Sequence, residues 1–547
     1  MRLADHLVIL PIVLPLVTGA LLLLLDERRH VLKAMVNVVS TLALAVAAVA
    51  LLRLADDAGA DGVAAARTYL LGNWPAPFGI VLVLDRLSAL MVVLTAVLAL
   101  SALVFSTARW DRAGPHFHTL FQLLLMGLNG AFLTGDLFNL FVFFEVLLAA
   151  SYGLVLHAST PVRVRAGLHY IVVNLAGASL FLIGVSLIYG VTGTLNMADL
   201  ATRIPALTGS GKLLLQTGAA VLGVAFLVKA GMWPLSFWLP QTYTAAAAPV
   251  AAVFVVLTKV GFYALLRLSL LLFGAQAGES AGFGDPWLLA GGTATLAFGA
   301  VGVVASQAMG RIAGYSVLVS SGTLLAAAGL ADASVTASAL YYLVSSTLTT
   351  AAFFLLIELV ERGQDPAADI LAVTMEAYGD EMDEEEAAEE VGVAIPATLA
   401  VLSACFAACG LLLAGLPPLS GFVAKFALLA AMTGPASNSG GISGTGWALL
   451  ALLLLSGLSA LIAMTRAGIR TFWAPVEQTV PRVLVIEIVP VGFLLFLTLV
   501  LTVEGGAAMR YMADTARDLH APAGYIHEVL SARPVPPPPA AAAEGRR

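Results

Sequence analysis

Apolar runs long enough to cross a lipid bilayer recur along the whole chain and constrain its fold more than any other feature. A transmembrane helix needs about 20 consecutive apolar residues. Only 11% of the 547 residues are charged, whereas a soluble protein carries about twice that share. The sequence therefore predicts an all-α polytopic membrane protein with about fourteen transmembrane helices. The predicted spans are 6–25, 31–54, 86–107, 116–134, 137–157, 166–191, 212–245, 248–273, 286–308, 311–330, 335–360, 393–433, 446–466 and 482–503.

Two of these runs are long and are interrupted by proline. The run 212–245 contains Pro234 and Pro240, and the run 393–433 contains Pro417 and Pro418. Membranes tolerate such breaks only where protein or a watery cavity satisfies the freed backbone groups. Each broken run is the fourth of five, in spans four to eight and nine to thirteen. This pattern predicts two inverted five-helix repeats, as in many transporters; the alternative is chance prolines in long helices.

The repeats divide the chain into four parts. Residues 1–115 contain the first three helices, 116–273 the first repeat, 286–466 the second repeat, and 467–547 the last helix and a tail. The tail is polar and then rich in proline and alanine, so it is expected to be extended and disordered. The first apolar run lacks a cleavage site and is interpreted as a retained helix.

Arginine is concentrated in the loops that follow odd-numbered spans, and such loops face the cytoplasm under the positive-inside rule. Both termini are therefore expected on the outer side. Loops after even-numbered spans hold fewer cations, including Arg267 at a helix end. The cations after odd-numbered spans are Arg28, Arg29, Lys33, Arg109, Arg112, Arg163, Arg165, Arg311, Arg362, Arg466, Arg470 and Arg482.

Four ionisable residues lie inside apolar spans. Three are lysines, Lys229, Lys259 and Lys425, although the chain has only five lysines; the fourth is Glu145, near the middle of the fifth span. A lysine at the centre of a membrane helix costs roughly 2.5–3.5 kcal/mol on insertion scales. A buried lysine can release its proton, whereas arginine stays charged. These residues predict an ion pathway in which Glu145 pairs with a buried lysine; the alternative is an ion pair that fixes helix register.

The stretch Leu227–Leu265 carries two of these lysines on neighbouring predicted helices, with the first proline break between them. Lys259 is therefore a candidate to receive the proton of Lys229. Lys425 follows the second break and is the candidate for the equivalent position in the second repeat.

Other polar residues have less specific explanations. Cys405 and Cys409 lie in one apolar helix and are expected to pack, not to bind metal. The acidic run 380–390 lacks the ligand spacing of a calcium loop and is expected to be a solvated loop. Most of the net charge of −7 comes from this run, and no nucleic-acid partner is expected.

Several polar residues lie at the ends of spans. Asp85 and Asp136 are expected to cap helices or to meet water, and Glu487 is a candidate contact for another subunit. Glu358 and Glu361 lie where a side chain reaches water easily. The histidines at helix ends are interpreted as interface residues and not as members of a proton relay; they are His116, His118, His157 and His169.

Specific motifs connect the sequence to a known family. They are residues 72–85, the run Tyr189–Asn196, Lys229 with Trp233-Pro234 and Trp238-Leu239-Pro240, Arg311 with Tyr315-Ser316, and the run Leu416–Lys425. On these residues the chain resembles the antiporter-like subunits shared by Mrp-type multisubunit cation/proton antiporters and respiratory complex I. Within that family, Thr134–Glu145 is most similar to the D-type subunits of the Mrp complex.

The resemblance implies roles for the intramembrane charges. Glu145 and Lys229 would form a charge pair, and Lys259 and Lys425 would continue a polar axis across the membrane. Many relatives carry a histidine in the eleventh span, where this chain has Tyr342-Leu343-Val344-Ser345-Ser346. Because serine cannot hold a proton, the axis would need water or another route there.

The function expected from the resemblance is proton translocation by one subunit of a hetero-oligomeric Na⁺/H⁺ antiporter. Its partners would be the other subunits and membrane lipid, it would need no organic cofactor, and it would lie in the bacterial inner membrane with both termini periplasmic. A first alternative is a proton-pumping subunit of a complex I-type enzyme or membrane hydrogenase. A second is a structural scaffold in which the ion pair sets packing.

Overall fold

A computed structural model describes residues 5–60, 66–362, 396–433, 444–473 and 483–535. Nearly all of its regular structure is helical. The helices are α1 (Leu10–Leu24), α2 (His30–Ala60), α3 (Arg86–Ser106), α4 (Phe117–Leu133), α5 (Leu137–Val155), α6 (Pro161–Thr192), α7 (Met197–Arg203), α8 (Gly209–Ala230), α9 (Leu239–Ala245), α10 (Ala248–Phe273), α11 (Asp285–Ala305), α12 (Met309–Ala328), α13 (Ala333–Glu361), α14 (Pro396–Ala414), α15 (Ser420–Thr433), α16 (Gly444–Gly468), α17 (Val485–Val503), α18 (Gly505–His520) and α19 (Ala523–Ser531). Short 3₁₀ helices occupy Asp5–Leu7, Leu71–Asn73, Trp110–Arg112, Ile204–Ala206 and Gly278–Ser280, and a π-helical turn occupies Ile469–Trp473.

Twelve helical segments in the described residues are long and apolar enough to cross a membrane. Shorter apolar helices occupy Leu10–Leu24, Phe117–Leu133 and Ser420–Thr433. The chain is thus a multi-pass, almost entirely helical membrane protein, as predicted. The count of fourteen spans and the inverted repeat remain predictions.

The helix α10 lies at the centre of the bundle. The apolar window of α10 is buried completely, and those of α3, α12 and α13 are buried over most of their length. In α6, α14 and α17 only about a third or less of the corresponding window is buried. Burial on all sides marks α10 as an internal element of the bundle. Lipid tails are as apolar as the surface of such a helix, so close packing and hydrogen bonds hold it among its neighbours.

Both long proline-containing runs are broken, as predicted. The first break separates α8 from α9 and begins at Gly231, whose φ is +72°. The second separates α14 from α15 and begins at Gly415, whose φ is +76°. Glycine reaches this left-handed region without steric cost, so it ends each helix before the prolines are reached. Pro240 lies in the first turn of α9 and thus begins a helix instead of breaking one.

A β-hairpin, which was not predicted from the sequence, lies in the loop before α3. Strands β1 (Arg67–Leu70) and β2 (Val81–Leu84) pair antiparallel, with Arg67 opposite Leu84. Four consecutive buried apolar residues form β2. Four residues are too few for a helix, and the run lacks the alternation of apolar and polar residues that marks a strand with one exposed face. No sequence pattern therefore identified it as a strand.

The tail after the last span contains two helices, α18 and α19, where the sequence predicted extended chain. Asp518 accepts a hydrogen bond from Arg86 at 2.6 Å, and the ring of Tyr525 lies 5.3 Å from the guanidinium of Arg267. These contacts, together with an apolar face on each short helix, stabilise the segment as far as Ser531. Most of the Pro/Ala-rich run, beyond Val535, and the acidic run 380–390 lie outside the described residues.

Candidate functional site

Lys229 lies in the last turn of α8, immediately before the first break. Its side chain is buried, with 4% of its surface exposed. The ammonium Nζ donates to Asn174 Oδ1 at 3.3 Å and lies 5.6 Å from the centre of the Tyr170 ring. The amide nitrogen of Asn174 donates to the Tyr170 carbonyl one helical turn earlier, which leaves its oxygen free to face the lysine. Neutral groups therefore hold this cation.

Glu145 lies on α5 and is half-buried. Its Oε1 is buried and has no hydrogen-bond partner among the described residues. The predicted pair with Lys229 is not in direct contact, because no carboxylate–ammonium distance within 4.0 Å joins these two described residues. Asn174 is thus the direct partner of the lysine.

Aromatic rings enclose this site. Tyr170 packs edge-on against Tyr152 at 5.6 Å and lies 5.4 Å from Trp238, and its hydroxyl is 2.7 Å from Ser151 Oγ. Rings beside a buried charge lower the local dielectric constant, which strengthens the interaction between separated charges.

Lys259 lies on α10 and is completely buried. Its Nζ donates to Ser320 Oγ on α12 at 2.7 Å, and Ser320 Oγ lies 2.9 Å from Ser346 Oγ on α13. Helices α8 and α10 approach closely beside the two lysines. A Cβ at Gly261 would lie 2.7 Å from the backbone nitrogen of Ala230. Lys229 and Lys259 therefore flank a tight helix contact, as the sequence predicted for neighbouring helices.

Lys425 lies in the second turn of α15, after the second break. Its Nζ donates to the carbonyls of Leu413 and Ala414, each at 3.1 Å. These carbonyls end α14, where the helix dipole favours a cation. Gly415 and Gly457 leave room for the side chain. A Cβ at Gly415 would lie 2.6 Å from Lys425 Cδ.

Neutral polar residues that were not predicted as partners from the sequence contact Lys229 and Lys259. Asn174 contacts Lys229, and Ser320 and Ser346 extend from Lys259 toward the helix that carries Lys425. Neutral polar side chains are common in membrane helices, so type alone gives little signal. Only the packing of α6, α12 and α13 against the lysine helices identifies them.

Asp85 and Arg267 form a separate buried ion pair, which was not predicted from the sequence. Asp85 caps α3 by accepting from the Ser88 amide at 2.9 Å, which confirms its predicted capping role. Both of its oxygens accept from Arg267, which lies within α10 and is 6% exposed, not at a helix end as predicted. Burial alone would raise the pKa of Asp85, but the charge and hydrogen bonds of Arg267 hold it below its ordinary value.

Other polar candidates have structural partners. Asp136 accepts from the Asn139 amide at 2.9 Å and caps α5 as predicted. Glu487 is fully buried and accepts from Arg362 at 2.6 Å. Its predicted role as a contact for another subunit is therefore wrong, because its carboxylate is neutralised within the chain.

Burial lowers the pKa of His157, whose Nε2 lies 2.6 Å from the Trp110 carbonyl.

The two cysteines pack as predicted. Cys409 is completely buried in the apolar core, and Cys405 packs against that core. Both are free thiols, so they contribute to packing of α14.

Sequence comparisons match this chain to known membrane proteins. Residues 134–450 match the family described as "NADH:quinone oxidoreductase/Mrp antiporter, TM". The D-type subunit of a probable K⁺/H⁺ antiporter from Rhizobium meliloti (strain 1021) is 64% identical over 530 residues, which cover 96% of this chain and 98% of the relative. The D-type subunit of a Na⁺/H⁺ antiporter from Alkalihalophilus pseudofirmus is 34% identical over 536 residues, covering 96% and 99%.

A solved structure has the same fold. A chain of the Mrp complex from Dietzia sp. DQ12-45-1b superposes with a TM-score of 0.80 at 26% sequence identity. The match covers 97% of this chain and all of the other. The similarity therefore extends beyond the matched family region to the N-terminal helices and the C-terminal segment.

Proposed function

The chain belongs to the NADH:quinone oxidoreductase/Mrp antiporter family of membrane proteins, and we propose that it is the proton-translocating subunit of a hetero-oligomeric monovalent cation/proton antiporter. The observation that carries the proposal is its 64% identity, over almost its whole length, with a relative named as the D-type subunit of a probable K⁺/H⁺ antiporter. The protein needs no organic cofactor and works in the bacterial inner membrane. Its partners are the other subunits of the complex.

The proposed proton path begins at Lys229. Its ammonium is held by the neutral oxygen of Asn174, while Glu145 acts on it across a gap. Approach of the carboxylate stabilises the protonated lysine, and withdrawal favours release of the proton toward Lys259 on the adjacent helix. Transfer then continues toward Lys425. The breaks beside Lys229 and before Lys425 give the chain points at which backbone can move without disrupting a continuous helix.

The proposal is tested by proton flux in inverted membrane vesicles that contain the whole complex. We expect Lys229→Ala and Glu145→Gln to reduce cation-dependent flux by about tenfold or more, since each removes a group that handles or stabilises the proton. Lys212→Ala is the matched control, because Lys212 is on the same helix but pairs with Glu279 at the surface. Co-purification of partner subunits checks assembly. Wild-type flux in the assembled Lys229→Ala complex contradicts the proposal.

The cation is the second part of the proposal. The relative at 64% identity is named for K⁺ and the one at 34% for Na⁺, whereas Na⁺ was expected from the sequence. We propose that K⁺ is the preferred cation. Flux measured in the same vesicles after addition of K⁺ or Na⁺ at equal ionic strength decides this. A larger response to Na⁺ contradicts the K⁺ assignment without affecting the proton path.

A redox complex is the competing function, because the matched family also includes NADH:quinone oxidoreductases. Purification of the native complex separates the two. Partners that carry iron–sulfur clusters favour the redox enzyme, and partners that are all membrane subunits without cofactors favour the antiporter. A purely structural role for the buried charges is excluded if the Lys229→Ala complex assembles normally but loses flux.

A further inference from the structure

Two serines continue the polar contacts of Lys259 toward the second repeat. Ser320 Oγ accepts from Lys259 Nζ at 2.7 Å and lies 2.9 Å from Ser346 Oγ. Ser320 is 3% exposed, and Ser346 is half-buried. The three groups come from α10, α12 and α13. A buried hydroxyl needs a hydrogen-bond partner, and here the two serines supply one to each other.

The chain of contacts opens into a small cavity that is lined by hydroxyl groups as well as by apolar side chains. About 30 Å³ of space for water centres is enclosed there, and one buried water needs roughly 10–15 Å³ by this measure. The cavity therefore has room for about two waters. Its polar lining includes Ser316, Ser320, Ser346, Ser456 and Lys425. The serine pair and the last lysine of the axis thus border the same water-sized space.

Lys425 is oriented to exchange a proton with this cavity. Two of the three donors of its ammonium are used by the carbonyls of Leu413 and Ala414, which leaves one donor for water. Ser345 borders the cavity as well, but its Oγ lies 2.9 Å from Ser420 Oγ at the start of α15. Ser346, and not Ser345, therefore lies on the path from Lys259.

We infer that Ser320, Ser346 and water in this cavity form the proton link between Lys259 and Lys425, so that hydroxyls replace a titrating side chain at this step. The inference rests on the proposed function. A hydroxyl donates one hydrogen bond and accepts others. It can therefore pass a proton on without holding a charge. The contacts allow transfer in one direction, because Lys259 donates to Ser320 and Ser320 can donate to Ser346. The Ser346 hydroxyl lies 3.3 Å from the Leu343 carbonyl, a long contact from which it can rotate to donate to water.

The transfer balances at each atom. The N–H bond of protonated Lys259 breaks as an O–H bond forms on Ser320, and the former proton of Ser320 moves to Ser346. The former proton of Ser346 moves to a cavity water, and a proton of that water moves to the neutral amine of Lys425. Lys259 ends neutral, Lys425 ends protonated, and every oxygen ends with the number of protons it had. Rotation of the two hydroxyls then restores the starting arrangement.

The decisive comparison is Ser346→Val against Ser346→Thr, since valine and threonine have nearly the same shape and only threonine has a hydroxyl. In vesicles with the whole complex, we expect Ser346→Val and Ser320→Ala to lower cation-dependent proton flux about tenfold. Ser346→Thr is expected to keep proton flux within about twofold of wild type, because threonine keeps the hydroxyl group that donates and accepts hydrogen bonds. Ser338→Ala is the control, because Ser338 lies on the same helix and only donates to the Ser334 carbonyl.

Lys229→Ala, measured in the same preparation, separates failure of this link from failure of the proposed function. If Lys229→Ala abolishes flux while Ser346→Val keeps it, the proposed function stands and the serine link is wrong. If Ser346→Thr loses flux as fully as Ser346→Val, shape and not the hydroxyl matters, which also overturns the link. If Lys229→Ala keeps flux, the proposed function is wrong and the link falls with it.

Discussion

Buried cations in this chain differ in what neutralises them. Arg267, which stays charged at every physiological pH, contacts both oxygens of Asp85. Lys229, Lys259 and Lys425 contact neutral acceptors instead, namely an amide, a hydroxyl and two carbonyls. Lys33, which is buried near the start of α2, contacts the carboxylate of Glu27. A carboxylate in direct contact would hold a proton on a lysine, whereas a neutral acceptor leaves the amine able to release it. Arg267 and Lys33 are thus paired with carboxylates, whereas the three lysines of the proposed proton path have neutral partners.

The Asp85–Arg267 pair predicts a large effect on stability. We expect Asp85→Asn to lower the free energy of unfolding by about 3–5 kcal/mol, because it leaves a buried guanidinium without a counter-charge. Thermal unfolding of the purified complex measures this. The double variant Asp85→Leu with Arg267→Met removes both charges and is expected to recover much of the loss. An unfolding temperature for Asp85→Asn equal to wild type contradicts the prediction.

The same pair predicts a pH dependence. Its carboxyl has a folded-state pKa below its ordinary value, which is about 3.9 in the unfolded chain. The stability that it contributes is therefore complete above about pH 4 and is lost as the pH falls through the folded-state pKa. The difference in unfolding temperature between wild type and Asp85→Asn should be constant from about pH 7 to 5 and should shrink below about pH 4. A difference that shrinks near neutral pH would point to another group.

At the scale of elements, sequence patterns identified the breaks but not the partners of the lysines. Proline has a local and unmistakable effect on a helix, so the two broken runs were predictable. The contacts of Lys229 and Lys259 depend on which faces of α6, α12 and α13 meet them, and composition does not encode this. The hairpin and the tail helices were missed for a related reason. Their apolar residues are few, and only packing on the bundle stabilises them.

The second break predicts a specific role for Gly415. Its φ of +76° costs any other residue about 1–2 kcal/mol, and a Cβ there would lie 2.6 Å from Lys425 Cδ. We expect Gly415→Ala to lower the unfolding temperature and also to reduce proton flux, because Lys425 must move away from the carbonyls of Leu413 and Ala414.

Gly190→Ala is the control for this substitution. Gly190 lies inside α6 with open space around its Cα, and alanine favours a helix interior by up to about 1 kcal/mol over glycine. This variant should keep wild-type flux and should not lose stability. If Gly415→Ala loses stability but keeps full flux, the position of Lys425 does not depend on this break.

Over the whole molecule, the loops separate into two groups by their contacts. One group joins the loop before α4, the loop before α6 and the end of α13; Trp110 contacts His157 and Glu358 there. The other group joins the hairpin to both ends of the described chain. His6 lies 3.2 Å from Tyr69, and Val535 bonds with Asn73 at 2.7 Å. Arg109, Arg112 and Arg362 of the predicted cytoplasmic loops lie in the first group, and Arg163 donates to it at the Ala158 carbonyl. Both ends of the described chain belong to the second group.

This arrangement gives the predicted orientation a direct test by cysteine labelling. Ser531 and Ser159 are exposed, and they lie in the second and first loop groups, respectively. Ser531→Cys and Ser159→Cys are made separately in a background with Cys405→Ala and Cys409→Ala. Because positively charged loops stay in the cytoplasm, a membrane-impermeant maleimide applied to intact spheroplasts should label Ser531→Cys and spare Ser159→Cys. Inverted vesicles should give the reverse pattern. Labelling of Ser159→Cys in spheroplasts would show that the chain has the opposite orientation in the membrane. The two ends of the path from Lys229 to Lys425 would then have to be assigned to the opposite faces of the membrane.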